Sequence, residues 1–232
     1  MGDAAKADQT QLPNTFSLDS PDWSYKPGYT HFRCDYRLII DNLLDFSHRA
    51  YVHPTTLGGS EDLALIRPKL EPLERGVRVT WWVRDIPPSP YHQRFGNFSG
   101  NVDRWNFYDF LVPGLLIMHG GAQAAGTGAP EGRINTPIQT RGCQALTPET
   151  DKSTHYFFAA PRMFARDDPA ADEAVLTVLR TAFAEDQVMI EAQQRNIDFD
   201  PTAKPITIAA DGALIQMRRI MDRLIAEEAV FT

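Results

Sequence analysis

Through the middle of the chain, apolar and polar positions alternate with a period near two, and toward the end apolar residues recur every three or four positions. A block of strands followed by long helices is therefore predicted. Strands are expected over Tyr29–Ile40 and over residues 75–86, 103–112, 115–124, 140–147 and 153–160, which are rich in aromatic and β-branched side chains. Turn-rich pieces such as PPSP and GAQAAGTGAPEG separate them, the second expected to form a flexible lid or hairpin loop. Two helices close the chain. Asp168 followed by Pro169 supplies a cap and a first-turn proline, and helical spacing persists through Ile197, giving a rod roughly 40 Å long at about 1.5 Å per residue. From Ala213 to Glu228, residues Leu214, Met217, Ile220, Met221 and Leu224 fall on one side of a second helix. The expected class is α+β, with an antiparallel sheet packed on a long C-terminal helix.

Between the first strand and the rest lies DNLLDFSHRAYVH, read as a short helix from 42 to about 52 with Asp41 as its N-cap. Pro54 disfavours helical geometry at His53. Residues 1–28, with three prolines and no sustained period, are expected to form an irregular lead-in, leaving 29–232 as one domain.

Composition narrows the functional classes. The 232 residues are 43% hydrophobic, enough for one substantial core, and the formal net charge of -7 lacks the basic footprint of a nucleic-acid binder. No apolar run reaches the roughly 20 residues of a spanning helix, and Met1 to Gln11 are polar, so no membrane partner and a cytoplasmic location are expected. Cys34 and Cys143 have no C-x-x-C spacing and read as packed thiols.

The residues that carry chemistry are Asp45, His48, His53 and, far downstream, Asp186. Two imidazoles and a carboxylate on one face of a divalent iron leave the opposite positions open for oxygen and substrate. On a regular helix Asp45 and His48 share a face, so the carboxylate is expected to hold the imidazole. His53 lies about 140° from His48 around such a helix, and the two converge only if the helix ends or distorts between them. Taken alone, H-x-x-x-x-H also describes ordinary polar positions on a half-exposed helix, and Asp186 beside Glu185 also describes a solvated helix face.

The run DNLLDFSHRAYVH, with AEDQVMIEAQQRNID downstream, resembles the catalytic domain of Rieske non-haem iron oxygenases, in their vanillate O-demethylase and dicamba demethylase branch. The resemblance covers nearly the whole chain, and the N-L-L-D-x-x-H-x-x-x-x-H pattern is specific. It implies a helix-grip fold and mononuclear Fe(II) held by His48, His53 and Asp186. It further implies that Asp45 links the iron to the electron donor and that Asn42 lies close by. The implied reaction is O2-dependent hydroxylation or O-demethylation of an aromatic substrate, in a homotrimer.

The C-x-H and C-x-x-H pair that holds the family's two-iron two-sulfur Rieske cluster does not occur in this sequence, whose Met1-Gly2-Asp3 resembles the tail of the segment closing that domain. The two electrons needed are then expected from a Rieske domain or protein and a reductase outside these residues. The rivals are a non-catalytic container for hydrophobic ligands on the same fold and a truncated gene product.

His119 and His155, in strand-like runs, are weaker candidates for substrate hydrogen bonds, and a lone strand histidine is more often simply packed or exposed. Arg94 and Arg162 are the arginines considered for a carboxylated substrate. Among Trp81, Trp82, Trp105, Phe107, Tyr108, Phe157 and Phe158, strand alternation lets only one of each adjacent pair point inward, and packing is the stronger expectation for most.

Overall fold

The computed structural model describes residues 12–57, 65–202 and 205–229, with positions 5, 8 and 10. Its frame is a seven-stranded sheet in the order β1-β7-β6-β5-β4-β3-β2, antiparallel throughout. The strands are β1 (Gly28–Phe32), β2 (Lys69–Leu73), β3 (Gly76–Ile86), β4 (Val102–Leu111), β5 (Leu115–Ala124), β6 (Gln139–Thr150) and β7 (Ser153–Ala159). From β2 onward the strands follow one another as a meander. Only β1 breaks the order, pairing with β7 at the far edge through Phe32↔Thr154 and its neighbours.

To pass from β1 at one edge to β2 at the other, the chain crosses one face of the sheet as two short helices, α2 (Tyr36–Leu44) and α3 (Arg49–Val52); a single turn, α1 (Phe16–Asp19), precedes β1. After β7, helix α5 (Pro169–Phe199) and then α6 (Gly212–Ala229) cover the same face, and α4 (Pro90–Gly96) lies in the β3–β4 connection. This is the expected α+β arrangement of a sheet gripping a long helix.

Three local expectations are corrected. The strand anticipated over Tyr29–Ile40 stops at Phe32, because Asp35 accepts a hydrogen bond from the Arg37 amide and caps a helix whose Leu38, Ile39, Ile40 and Leu44 turn inward at helical spacing. The helix anticipated over 42–52 is instead split, and Asp41 is a buried residue of α2 rather than a cap. PPSP leads directly into α4, where Ser89 caps and Pro90 occupies the first turn. The edge strand β2, which contains Pro72, was not anticipated; proline is tolerated there because one side of an edge strand donates to no neighbour.

The core joins the layers. Phe183 of α5 packs edge-on against Tyr156 and Phe158 of β7, with ring centroids 5.0 and 4.7 Å apart. Phe32, Ile39, Leu44 and Met217 fill the space between α2, α6 and the sheet. Cys34 is fully buried and Cys143 partly so; both thiols are free, and burial pushes Cys34 up to about 12. Polar bonds then fix how α5 crosses: Glu191 accepts from the Arg33 amide at 3.0 Å, Gln194 from the Asp35 amide at 2.9 Å, and Gln187 donates to the His31 carbonyl at 2.9 Å. The lead-in is less irregular than anticipated, because Ser24 and Arg162 exchange main-chain hydrogen bonds.

Arg218 on α6 reaches the buried Asp41 on α2 through two hydrogen bonds, one of them Nε to Oδ1 at 2.9 Å. Removing the arginine strands a carboxylate in the interior. Arg218→Met is expected to lower stability by about 1–3 kcal/mol, whereas Arg37→Met, which removes the exposed partner of Asp35, is expected to cost no more than about 1 kcal/mol. The shift of the urea midpoint at constant m-value measures both.

Candidate metal centre

Helix α2 ends at Asp45, whose amide bonds back to the carbonyls of Asp41 and Asn42. A tight turn follows, held by the Asp45 carboxylate, which accepts from the Ser47 amide at 2.7 Å and the Ser47 hydroxyl at 2.6 Å. His48 is the N-cap of α3 and His53 its C-cap, so the histidines flank one helical turn instead of sharing a continuous helix. That resolves the awkward spacing of five: the rings stand 5.2 Å apart at 75°. Pro54 is consistent with the stop at His53.

From the other side α5 delivers Asp186, 4% exposed. Its Oδ1 lies 3.0 Å from His53 Nε2 and 3.5 Å from His48 Nε2. Among the described residues, these three side chains form one group whose ligand atoms all lie within 4.8 Å of one another, compatible with a metal ion.

The hydrogen-bond partners fix what those atoms offer. His48 Nδ1 faces the Asp45 main-chain carbonyl and His53 Nδ1 faces Glu185 Oε2 at 2.7 Å, so each Nδ1 carries the proton and donates. Both Nε2 lone pairs are thereby turned toward a carboxylate oxygen that has no hydrogen-bond donor. Three electron-rich atoms meeting in the interior repel one another unless a cation or a proton sits between them. The titration of the metal-free group follows. Burial pushes His48 down against the pull of Asp186, whereas in His53 burial is outweighed by its bonds to Asp186 and Glu185, and its value rises.

Two features differ from the sequence expectation. The Asp45 carbonyl, not its carboxylate, holds His48, because the helix break turns the side chain toward Ser47. Glu185, to which the sequence gives no role, holds His53 and also accepts from Thr56 Oγ1 at 2.8 Å. Nothing in a lone acidic pair on a helix marks which acid reaches inward and which supports it.

The group opens into a cavity between the sheet and α5, of about 970 Å³ including its mouth, also lined by Asn42, Asp45, Phe46, Tyr108, Leu116 and Phe183. Gly120 leaves room in its wall, where a Cβ would stand 3.0 Å from the Oδ1 of Asn106, another lining residue.

His119 and His155 do not face this cavity. His119 alternates with Met118 and Gly120, which do, and turns to the other face beside Phe107 and Gln139. His155 lies on that outer face as well, against Tyr29 and His31. Alternation likewise sends Trp81 and Tyr108 inward and Trp82 and Phe107 outward; Phe158 packs on α5 while Phe157 is exposed. Arg94 is exposed, and Arg162 is spent on Asp172 at 3.0 Å and on main-chain carbonyls. Two arginines not singled out in the sequence, Arg49 and Arg104, line the cavity instead.

Residues 32–227 match the vanillate O-demethylase oxygenase C-terminal domain, and the chain belongs to that family. It is 41% identical to the toluene-4-sulfonate monooxygenase system iron-sulfur subunit TsaM1 of Comamonas testosteroni, over 98% of this chain and 67% of that one. It is 33% identical to a vanillate O-demethylase oxygenase subunit of Pseudomonas sp. (strain ATCC 19151), over 98% and 70% respectively. The crystal structure of dicamba monooxygenase bound to dicamba superposes with a TM-score of 0.83 at 28% identity, covering 99% of this chain and 66% of that one. The chain thus spans about two thirds of the length of these relatives. No helix among the described residues is long and apolar enough to cross a membrane.

Burial and the nearby Arg141 push His119 down to about 4. The unfolded chain takes up a proton there near pH 6.5, which the folded chain refuses until about 4. Its contribution to stability is therefore full above pH 6.5 and is lost as the pH falls through that window. Replacing it as His119→Gln is expected to flatten the fall in unfolding free energy between pH 6.5 and 4, measured by denaturant titration at each pH.

Proposed function

We propose that this domain binds one Fe(II) through His48, His53 and Asp186 and oxidises an aromatic molecule with O2 in the adjoining cavity, by hydroxylation or O-demethylation. The observation that carries the reading is the convergence of two Nε2 lone pairs on a buried carboxylate oxygen at the wall of a mainly apolar cavity. A homologous dicamba monooxygenase has been solved with non-heme iron and dicamba, at 25% identity and a TM-score of 0.76. Ferrous iron held by His48, His53 and Asp186 would supply the chemistry of O2 activation, a three-side-chain set that leaves the metal accessible to oxygen and substrate.

The chain's own residues prepare that site. The Asp45 carbonyl and Glu185 fix both imidazoles in the tautomer that presents Nε2, and Thr56 steadies Glu185. Leu116, Phe46 and Phe183 exclude water and hold the ring of the substrate against the metal side of the cavity. Asn42 and Asp45 border the same space. Asp45, half-buried and bonded to His48 through its carbonyl, is placed to connect the metal side to an incoming donor. We assign that donor to a Rieske cluster outside these residues, fed by a reductase and brought against Asp45 by a neighbouring copy in a homotrimer. Names of relatives such as "monooxygenase system iron-sulfur subunit" support multicomponent electron supply.

Anaerobic titration of the metal-free chain with ferrous ion is expected to reach about one equivalent per chain, and His53→Ala to abolish that binding. A protein that takes up aromatic molecules but no iron would instead be a container. Glu185→Gln keeps a hydrogen-bond acceptor for His53 but removes the charge, and is expected to weaken iron binding by about 10- to 100-fold while the circular dichroism spectrum is unchanged.

A further inference from the structure

Among the described residues, the part of the cavity lined by Arg49 and Arg104 holds more positive charge than its surroundings neutralise. Arg104 rises from the inner face of β4 and is 5% exposed. Its Nη2 donates to the Leu57 carbonyl at 3.3 Å and its Nε has no partner. Arg49, the first residue of α3, donates Nη2 to that same carbonyl at 3.3 Å, and its buried Nη1 has no partner. Both guanidinium groups lie over the Trp81 ring, at 5.5 and 5.9 Å from its centre. Among the described residues no acidic side chain pairs with either.

The third polar group here, His92, is held by Ser89 and kept neutral by burial and by the two arginines. Burial and Arg49 depress Arg104 itself to about 9. A buried cation is retained when something pairs with it, and two cations sharing one carbonyl leave donors to spare for an anion with several oxygens.

We propose that Arg104 and Arg49 form an anion-binding subsite that selects aromatic substrates bearing a sulfonate or carboxylate, and so sets which end of the ring faces His48, His53 and Asp186. This rests on the oxygenase reading for the word substrate. The subsite itself is a property of the metal-free chain. Each charged oxygen accepts from a guanidinium N–H, Trp81 supplies the floor, and the apolar wall takes the ring.

The test is calorimetric titration of the metal-free 232-residue chain with benzenesulfonate and benzoate, each against its neutral isostere, benzenesulfonamide or benzamide. The proposal expects the anions to bind at least about tenfold tighter than the amides, a preference that about 0.1 M added salt reduces only partly because the site is buried. The larger of the two preferences identifies the anion. Arg104→Met and Arg49→Met, each checked for an unchanged melting profile, are expected to erase the preference while ferrous binding stays at one equivalent. Equal affinity for anion and isostere, including no binding of either, overturns the proposal, as does a preference that survives both substitutions. Should the chain bind no iron yet retain the anion preference, the oxygenase reading fails and the subsite stands.

Discussion

An acid buried without a cation beside it dominates this fold. Asp186 sits past the midpoint of α5, 4% exposed, with a carboxylate oxygen that has no hydrogen-bond donor among the described residues and faces the Nε2 atoms of both imidazoles. An uncompensated carboxylate in the interior is among the costlier groups a protein can hold. Such a group persists only where the surroundings are built to share it. The surroundings here come from opposite ends of the chain: α5 packs on β7 through Phe183, and the crossing from β1 to β2 carries both histidines over the same face. The crossing must exist because β1 pairs with β7 at the far edge. The sheet order and the site are thus one constraint, seen from two directions.

The same constraint explains why so many polar bonds secure α5. A helix positioned only by apolar contacts slides or rotates at small cost, and a few tenths of an ångström decide whether three ligand atoms converge. Glu191, Gln194 and Gln187 bind the main chain of residues 31–35, immediately before α2, so the register of α5 is set against the segment that leads into His48. Arg218 and Asp41 tie the other side of α2 to α6. Side chains that look like ordinary helix-surface polars in the sequence therefore do the positioning.

This marks what the sequence made legible and what it did not. The antiparallel strands of the meander from β3 to β7 and both closing helices follow from apolar patterning, even in β4, whose first half is buried on both faces. The first crossing does not, because HFRCDYRLII satisfies a strand pattern and a helix pattern at once, and only the capping of α2 by Asp35 decides between them. The convergence of His48 and His53 needed a helix break that Pro54 hints at but whose position depends on the Asp45–Ser47 turn. The outward direction of His119 and His155 is not legible either, because alternation tells which residues share a side, not which side is inward. Glu185, Arg49 and Arg104 left no pattern at all. The significance of Glu185 lies in the partners it finds and that of the two arginines in the partners they lack, and both are visible only in three dimensions.

In the metal-free chain the cavity carries both signs of charge on its wall, Asp186 and the Arg49–Arg104 pair, among mainly apolar side chains. For a neutral ring the two ways of lying in it differ little. For a ring with one anionic substituent they differ greatly, since one orientation pairs the charge with Arg49 and Arg104 and the other does not. A low-dielectric enclosure magnifies that difference. Under the proposed function, pairing of the anionic substituent with Arg49 and Arg104 then leaves the opposite end of the ring as the part presented for oxidation.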